Sequence, residues 1–318
     1  ICCGLSTRGV AVYNGKVFVG TIDAHLKALD AKTGKEIWKV KLAEWKEGYS
    51  ITSAPTVANG VLMQGIAGGE FGIRGFVDGY DPDTGKRLYR RHTTPNPGEK
   101  GSETWPPGDA YLKGAGSTWM TGSHDPELDL VYWGVGNGGP WDPRVRAPGD
   151  NLWMGSVIAM RPKTGEIIWH YQWTPGDMYD YDGVNELVFA DLPIDGKKTA
   201  VIMQANRNGF FYVLDRANGK LLSAKPFVDG VNWATGIDLK TGMPIEAPGN
   251  KYRPGLKSKA VNVCPNLIGG KNWQSMSYNK DTGLVYIPTT NLCMDMEAIQ
   301  EDYKRGQFYL SVNFDLGK

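Results

Sequence analysis

No stretch of the 318 residues stays apolar for the roughly 18 residues that a membrane-crossing helix needs. Charge of one sign is equally scarce: 35 Lys and Arg stand against 34 Asp and Glu, a formal net charge of +1. That balance gives nucleic acid no electrostatic footing. Only four cysteines occur, and none has a C-x-x-C or C-x-x-C-H spacing. Zinc-ribbon, thioredoxin-like and covalent c-type haem readings fall with those spacings. Long helical periodicity is missing as well. The opening Ile1-Cys2-Cys3 brings neither a starting methionine nor a signal-peptide core. The chain therefore reads as an internal piece of a longer one, and no targeting signal sets its compartment.

What is present is glycine, 42 residues of it, and 11 tryptophans, which implies many tight turns and a repeated aromatic packing role. A turn phrase recurs as Ala28-Leu29-Asp30-Ala31-Lys32-Thr33-Gly34-Lys35-Glu36-Ile37-Trp38 and as Tyr80-Asp81-Pro82-Asp83-Thr84-Gly85-Lys86-Arg87-Leu88-Tyr89. A third copy, Met160 to Trp169, varies at the acidic position; a fourth is Leu214-Asp215-Arg216-Ala217-Asn218-Gly219-Lys220, and weaker copies end at Gly242 and Gly283. Asp and Thr or Asn bond to nearby backbone, and Gly supplies positive φ, so each copy reads as a hairpin turn. Flanking stretches such as Lys16-Val17-Phe18-Val19-Gly20 and Phe210-Phe211-Tyr212-Val213-Leu214 read as short antiparallel strands. The expected fold is all-β: propeller blades with tryptophan docking between neighbours, preferred over a β-sandwich because one phrase repeats. At about 40–50 residues per blade the chain would hold about six. No linker marks a second domain, so residues 1–318 are expected to form one domain, incomplete at both ends. Segments 90–118 and 243–262 carry no strand pattern and read as long loops.

Several constellations have chemical meaning. In Tyr179-Asp180-Tyr181-Asp182, two carboxylates lie two residues apart, on one side of an extended segment. They repel unless a cation or a shared proton intervenes, which suits a hard cation; an exposed acidic loop is the alternative. Glu70 lies among the glycines of Gly68-Gly69-Glu70-Phe71-Gly72-Ile73-Arg74-Gly75, either facing a ligand or paired with Arg74 in a bulged strand. Asn137, in Gly136-Asn137-Gly138-Gly139-Pro140-Trp141, offers a carbonyl oxygen to a Ca²⁺-like ion, or forms a plain turn. The adjacent Cys2 and Cys3 are either a strained vicinal disulfide or two buried thiols.

Together these phrases resemble the PQQ-dependent alcohol dehydrogenases, the methanol- and ethanol-type quinoproteins. The likeness runs from Cys2-Cys3 and Arg8-Gly9 through the Glu70, Asn137 and Asp180 phrases to Arg207-Asn208-Gly209, and on to about Phe308. It implies an eight-bladed propeller, of which this chain would be part. It implies a Cys2–Cys3 disulfide on one face of pyrroloquinoline quinone (PQQ) and Trp119 stacked on the other. Arg8 and Thr52 match contacts to PQQ carboxylates and oxygens, Arg207 the arginine near the reactive carbonyl, and Asn272 an amide contact. Glu70, Asn137 and Asp180 match metal ligands, Asp180 also the catalytic base, and Cys264 with Cys293 a structural disulfide. Ala67 departs from the family, where a serine often precedes the glutamate by three residues as a PQQ contact.

Asp182 bears on the metal, because lanthanide-type members carry Asp there and calcium-type members a small or neutral residue. Three carboxylates, Glu70, Asp180 and Asp182, match a trivalent ion in charge, whereas a divalent ion leaves one buried charge uncompensated. The resemblance thus implies oxidation of a small primary alcohol in the periplasm, with a lanthanide (Ca²⁺ as the alternative) and a separate soluble c-type cytochrome as acceptor. A homodimer is left open. The substrate signatures are mixed: Asn137-Gly138-Gly139-Pro140-Trp141-Asp142-Pro143-Arg144 is ethanol-like, Cys293-Met294-Asp295-Met296-Glu297 methanol-like. Trp273 either narrows the pocket or packs in the core. The competing class is a non-catalytic propeller scaffold, which needs neither adjacent cysteines nor convergent carboxylates. If Asp180 is the base, Asp180→Asn abolishes turnover; retained activity would remove it from that role.

Overall fold

The computed structural model describes residues 6–247 and 259–316. Its first four sheets are four-stranded, antiparallel and built in chain order. The first holds β1 (Ala11–Tyr13), β2 (Lys16–Gly20), β3 (His25–Asp30) and β4 (Glu36–Lys41); the second β5 (Thr56–Ala58), β6 (Val61–Gly65), β7 (Phe76–Tyr80) and β8 (Arg87–His92). The third holds β9 (Ser123–Asp125), β10 (Leu130–Val135), β11 (Ser156–Met160) and β12 (Ile167–Gln172); the fourth β13 (Val188–Ile194), β14 (Lys197–Ala205), β15 (Phe210–Asp215) and β16 (Leu221–Pro226). The expected all-β propeller blades are there. The later strands form smaller sheets: β17 (Ala234–Ile237) with β18 (Pro244–Glu246), β20 (Ser277–Asn279) with β21 (Leu284–Tyr286), and β19 (Lys259–Val263) with β22 (Met294–Ala298) and β23 (Val312–Asp315). Four blades are therefore complete among the described residues, fewer than repeat length suggests, because β22 returns to β19 across the β20–β21 hairpin instead of extending one meander. Segment 90–118 is mostly loop, as expected, apart from the end of β8 and two short 3₁₀ turns at Ser102–Thr104 and Ala110–Leu112.

The core is a series of seams between consecutive sheets. Phe18, Leu26 and Ala28 meet Leu62, Phe76 and Tyr80. Val61, Met63 and Val77 meet Val131, Trp133, Ile158 and Met160. Tyr132, Val157 and Trp169 meet Ile202, Phe210 and Tyr212. Middle strands bury both faces against neighbouring sheets, so β6, β7, β10 and β11 are buried throughout and mostly apolar, with Gln64 and Asp78 as buried polar exceptions in β6 and β7.

The repeated turn phrase locks these seams. Asp30 accepts the backbone N–H groups of Lys32 at 3.1 Å and Thr33 at 2.7 Å, and the N–H of Gly34 closes on the Asp30 carbonyl at 2.8 Å. Asp81 and Asp215 build the same turn, as do Asp238 before Gly242 and Asn279 before Gly283. The aromatic residue that ends one phrase then covers the turn of the next sheet. The Trp38 indole lies over Gly85 and donates to the Pro82 carbonyl at 3.2 Å. Tyr89 covers Gly165 and donates to the Pro162 carbonyl at 2.7 Å, and Trp169 covers Gly219.

This topology also sorts the ends of the sheets. In a four-stranded meander, the entry to the first strand and the link from second to third lie at one end, and the third-to-fourth turn lies at the other. The glycine turns occupy the second end. Arg8, Thr52, Trp119, Asp180 and Asp182 precede the first strands β1, β5, β9 and β13, whereas Glu70, Asn137 and Arg207 lie between the second and third strands of their sheets. All of them therefore gather at the first end.

Gly34 and Gly85 share φ of +71°, but a side chain on Gly34 meets nothing within 4 Å, while a Cβ on Gly85 comes to 2.9 Å from the Trp38 ring. Gly34→Ala should cost about 1–2 kcal/mol from left-handed backbone alone. Gly85→Ala should melt at a lower temperature than Gly34→Ala, because Trp38 must also leave its seat. Equal melting temperatures would refute the docking role.

Candidate active site

One cavity of about 340 Å³ opens at that end of the sheets. Its lining includes Arg8, Thr52, Glu70, Trp119, Asp180, Asp182, Arg207 and Asn272, residues predicted from widely separated segments. Cys2 and Cys3 lie outside the described residues. Cys264, just after β19, and Cys293, just before β22, are joined in a disulfide.

Arg207 stands at the centre. Its Nη1 donates to Asp180 Oδ2 at 2.8 Å and to the Asp180 carbonyl at 2.9 Å. Its Nη2 lies 3.1 Å from Asp182 Oδ2 and donates to Asn272 Oδ1 at 3.3 Å. Asp182 is held from two further sides: the Trp119 indole N–H donates to Oδ2 at 3.2 Å and the Asn137 backbone N–H to Oδ1 at 2.7 Å. Asn137 is buried behind Asp182, outside the cavity lining.

Two sequence alternatives are decided here. Glu70 is not tied to Arg74, which instead donates to the Thr94 carbonyl and hydroxyl and to Asn96 Oδ1. Trp273 is not a core residue: it is 49% exposed and lines the cavity. One local expectation fails. The Asp180–Asp182 segment is irregular, not an extended strand, with Asp180 at φ +62°. Both carboxylates nonetheless reach the same arginine.

The electrostatics follow from burial. Burial raises the Asp180 carboxyl well above its ordinary value against the opposing pull of Arg207, and the charge of Asp182 adds to the rise. Glu70 is raised as well, by burial first and by Asp182 after it. Burial works against the charge on Arg207, yet the two aspartates outweigh it and its pKa is raised. Among the described residues no three His, Cys, Asp or Glu side chains stand close enough together to hold an ion; the Arg207 guanidinium takes the place of a cation between two of them. The donor set still suits a hard cation: the carboxylates of Glu70, Asp180 and Asp182 line the cavity, and the Asn137 amide is buried behind Asp182. A planar polyanion is suited too. The Nε groups of Arg8 and Arg207 are buried donors without a protein partner, and Arg8 lies 5.0 Å over the Trp119 ring and 5.4 Å over the Trp273 ring. The Thr52 hydroxyl ties this wall to the Trp119 carbonyl at 3.0 Å. Ala67 and Ser50, paired through their backbones, line the cavity together, so a hydroxyl stands beside the position where the serine is missing.

A family model described as "PQQ: Glucose/ethanol/alcohol dehydrogenase, beta-propeller domain" matches residues 4–224. The chain belongs to this PQQ β-propeller family. Quinohemoprotein alcohol dehydrogenase ADH IIB of Pseudomonas putida is 49% identical over 90% of this chain and 43% of its own length. Lanthanide-dependent methanol dehydrogenase of Methylacidiphilum fumariolicum is 42% identical over 98% of this chain and 53% of its own. Among solved structures, a europium-containing methanol dehydrogenase superposes with a TM-score of 0.91 at 41% identity, covering 99% of this chain and 57% of that one. The chain thus spans about half the length of the relatives it matches.

Sequence reasoning passed over Arg146, Asp177 and Ser117. Ser117 lines the cavity, and the other two are buried behind it. The only local signal was the turn-forming Pro175-Gly176-Asp177 just ahead of Asp180. Removing the central cation strands two buried carboxylates, so Arg207→Met should destabilise the metal-free protein by about 3–5 kcal/mol. Chemical denaturation measures it, and an unchanged midpoint would mean that Asp180 and Asp182 do not depend on Arg207.

Proposed function

We propose that the protein carrying this chain oxidises small primary alcohols to aldehydes, using PQQ and a lanthanide ion. The observation that carries this reading is the meeting, in one cavity, of Trp119, the two unpartnered arginine donors and the Asp180–Arg207–Asp182 cluster. A scaffold needs none of them. Trp119 and the Nε groups of Arg8 and Arg207 would hold the planar, carboxylate-rich quinone, with Thr52 and Asn272 at its edge. Cys2 and Cys3 would cover its other face. Glu70, Asn137, Asp180 and Asp182 would hold the ion. When bound, the quinone accepts the two electrons and the ion acts as a Lewis acid. Asp180 takes the alcohol's hydroxyl proton through the oxygen that Arg207 does not hold, and Arg207 adds positive charge where negative charge develops. Trp273 lies at the cavity wall, where it limits the size of the alcohol.

The choice of metal rests on Asp182 and on the likeness to relatives named for a lanthanide and for europium. Charge supports it less than the carboxylates alone suggest. Arg207 pairs with two of the three carboxylates and returns one positive charge to the site, which favours Ca²⁺ as the second reading. The Cys264–Cys293 disulfide supports an oxidising compartment, and we place the enzyme in the periplasm with a separate soluble c-type cytochrome as acceptor.

The test is dye-linked oxidation of ethanol and methanol by the full-length, metal-free protein loaded with PQQ and then given La³⁺ or Ca²⁺. Activity with La³⁺ alone is expected, and the ratio of the two rates gives the substrate. Activity with Ca²⁺ alone removes Asp182 from the ligand set. No PQQ binding and no activity would establish the scaffold reading instead.

A further inference from the structure

Asp180 is held at φ +62°, a left-handed conformation that costs a residue with a side chain about 1–2 kcal/mol. Something must enforce it. The N–H groups of the two neighbouring residues are caught by one side chain three residues upstream of Asp180: Asp177 accepts the Tyr179 N–H at Oδ1 and the Tyr181 N–H at Oδ2, both at 2.9 Å. Asp177 is itself only 2% exposed. Its carbonyl oxygen receives Nη2 of Arg146, also 2% exposed.

Arg146 has a second use. Its Nε donates to the Pro140 carbonyl at 2.7 Å and its Nη1 to Asn151 Oδ1 at 2.8 Å, while the Asn151 amide donates back to the Arg146 carbonyl at 2.8 Å. The guanidinium lies so close under Gly138 that a Cβ there would strike Nη1. Gly138 and Pro140 belong to the loop that carries Asn137. The buried guanidinium spends its hydrogen bonds on two carbonyls and an amide, while the nearby charges of Asp177 and Asp142 favour its protonated form. What it achieves is to tie the Asn137 loop of the third sheet to the Asp180 segment ahead of the fourth.

We propose that Arg146 and Asp177 are positioning residues that set Asp180 and Asn137 in mutual register for a bound cation. The proposal rests on the reading of Asp180 and Asn137 as ion ligands. Neither Arg146 nor Asp177 lines the cavity, so neither would touch a bound ion directly.

Terbium alone, as a luminescent trivalent probe, tests this on the full-length apoprotein. Asp177→Asn keeps the shape of the side chain but turns an amide NH₂ toward one of the two N–H groups it now caps. It should weaken terbium binding about 10–100-fold, the loss typical of groups that orient ligands. It should also shorten the terbium lifetime in H₂O relative to D₂O, because a ligand lost from Asp180 is replaced by water. The far-UV spectrum and melting temperature should stay close to those of the parent. Arg146→Lys keeps the charge but not the fork, and should move both readouts in the same direction; it carries the test if Asp177→Asn does not fold. Unchanged affinity and lifetime in a folded variant, alongside loss of terbium in Asp180→Asn, overturns the positioning role and leaves the site intact. Parent-like terbium binding by Asp180→Asn shows instead that the ion-site reading has failed. Failure of both variants to fold assigns the pair to folding and also overturns the proposal.

Discussion

Each sheet in this molecule is too thin to have an interior. The middle strands, buried on both faces, are stable only because the next sheet lies against them, and the aromatic ring closing one turn phrase lies on the glycine of the following one. That sheet-to-sheet seam is the constraint on which everything else depends. Hydrophobic burial drives the contact, while Trp38 on Gly85 and Tyr89 on Gly165 fix where along the sheet it occurs. A side chain at the end of one sheet is thereby placed relative to a side chain at the end of the next.

The cavity is the product of that placement. Arg8, Glu70, Asp180 and Arg207 come from different segments, and no short stretch of chain could bring them together. The cost of the arrangement is electrostatic. Carboxylates withdrawn from water favour their neutral form, as the raised Asp180 and Glu70 show, and only a cation among them restores their charge. Arg207 supplies one such charge within the protein. The cluster is consequently an electrostatic device whose net charge depends on what else binds beside it. The rigid seams around it keep the carboxylates from swinging out to solvent.

Much of the fold is legible in local sequence. The turn phrase contains its own hydrogen bonds: Asp30 caps the next residues and Gly34 takes the positive φ, and both are local effects. The weaker copies ending at Gly242 and Gly283 form the same turn, for the same local reason. Strand identity follows from apolar runs, and the candidate site positions from motif order. The sheet count is less legible, since nothing local says that β22 will pair with β19 across an intervening hairpin. The conformation of Asp180 escapes the pattern because alternation suggests a strand, whereas the capping carboxylate of Asp177 accompanies a left-handed backbone there.

By itself, the sequence determined the element type, the turns and the chemical inventory, because these depend on interactions within a few residues of chain. Tertiary structure alone decided which groups meet: that Arg74 serves Thr94 and Asn96 instead of Glu70, that Arg207 bridges Asp180 and Asp182, and that Trp273 borders the cavity and not the core. It alone brought out the reach of Arg146 from its own loop, where it holds Pro140 and Asn151, to Asp177 ahead of the fourth sheet. Such contacts are set by the stacking of whole sheets, and the distance between two residues in space then bears no fixed relation to their distance in sequence.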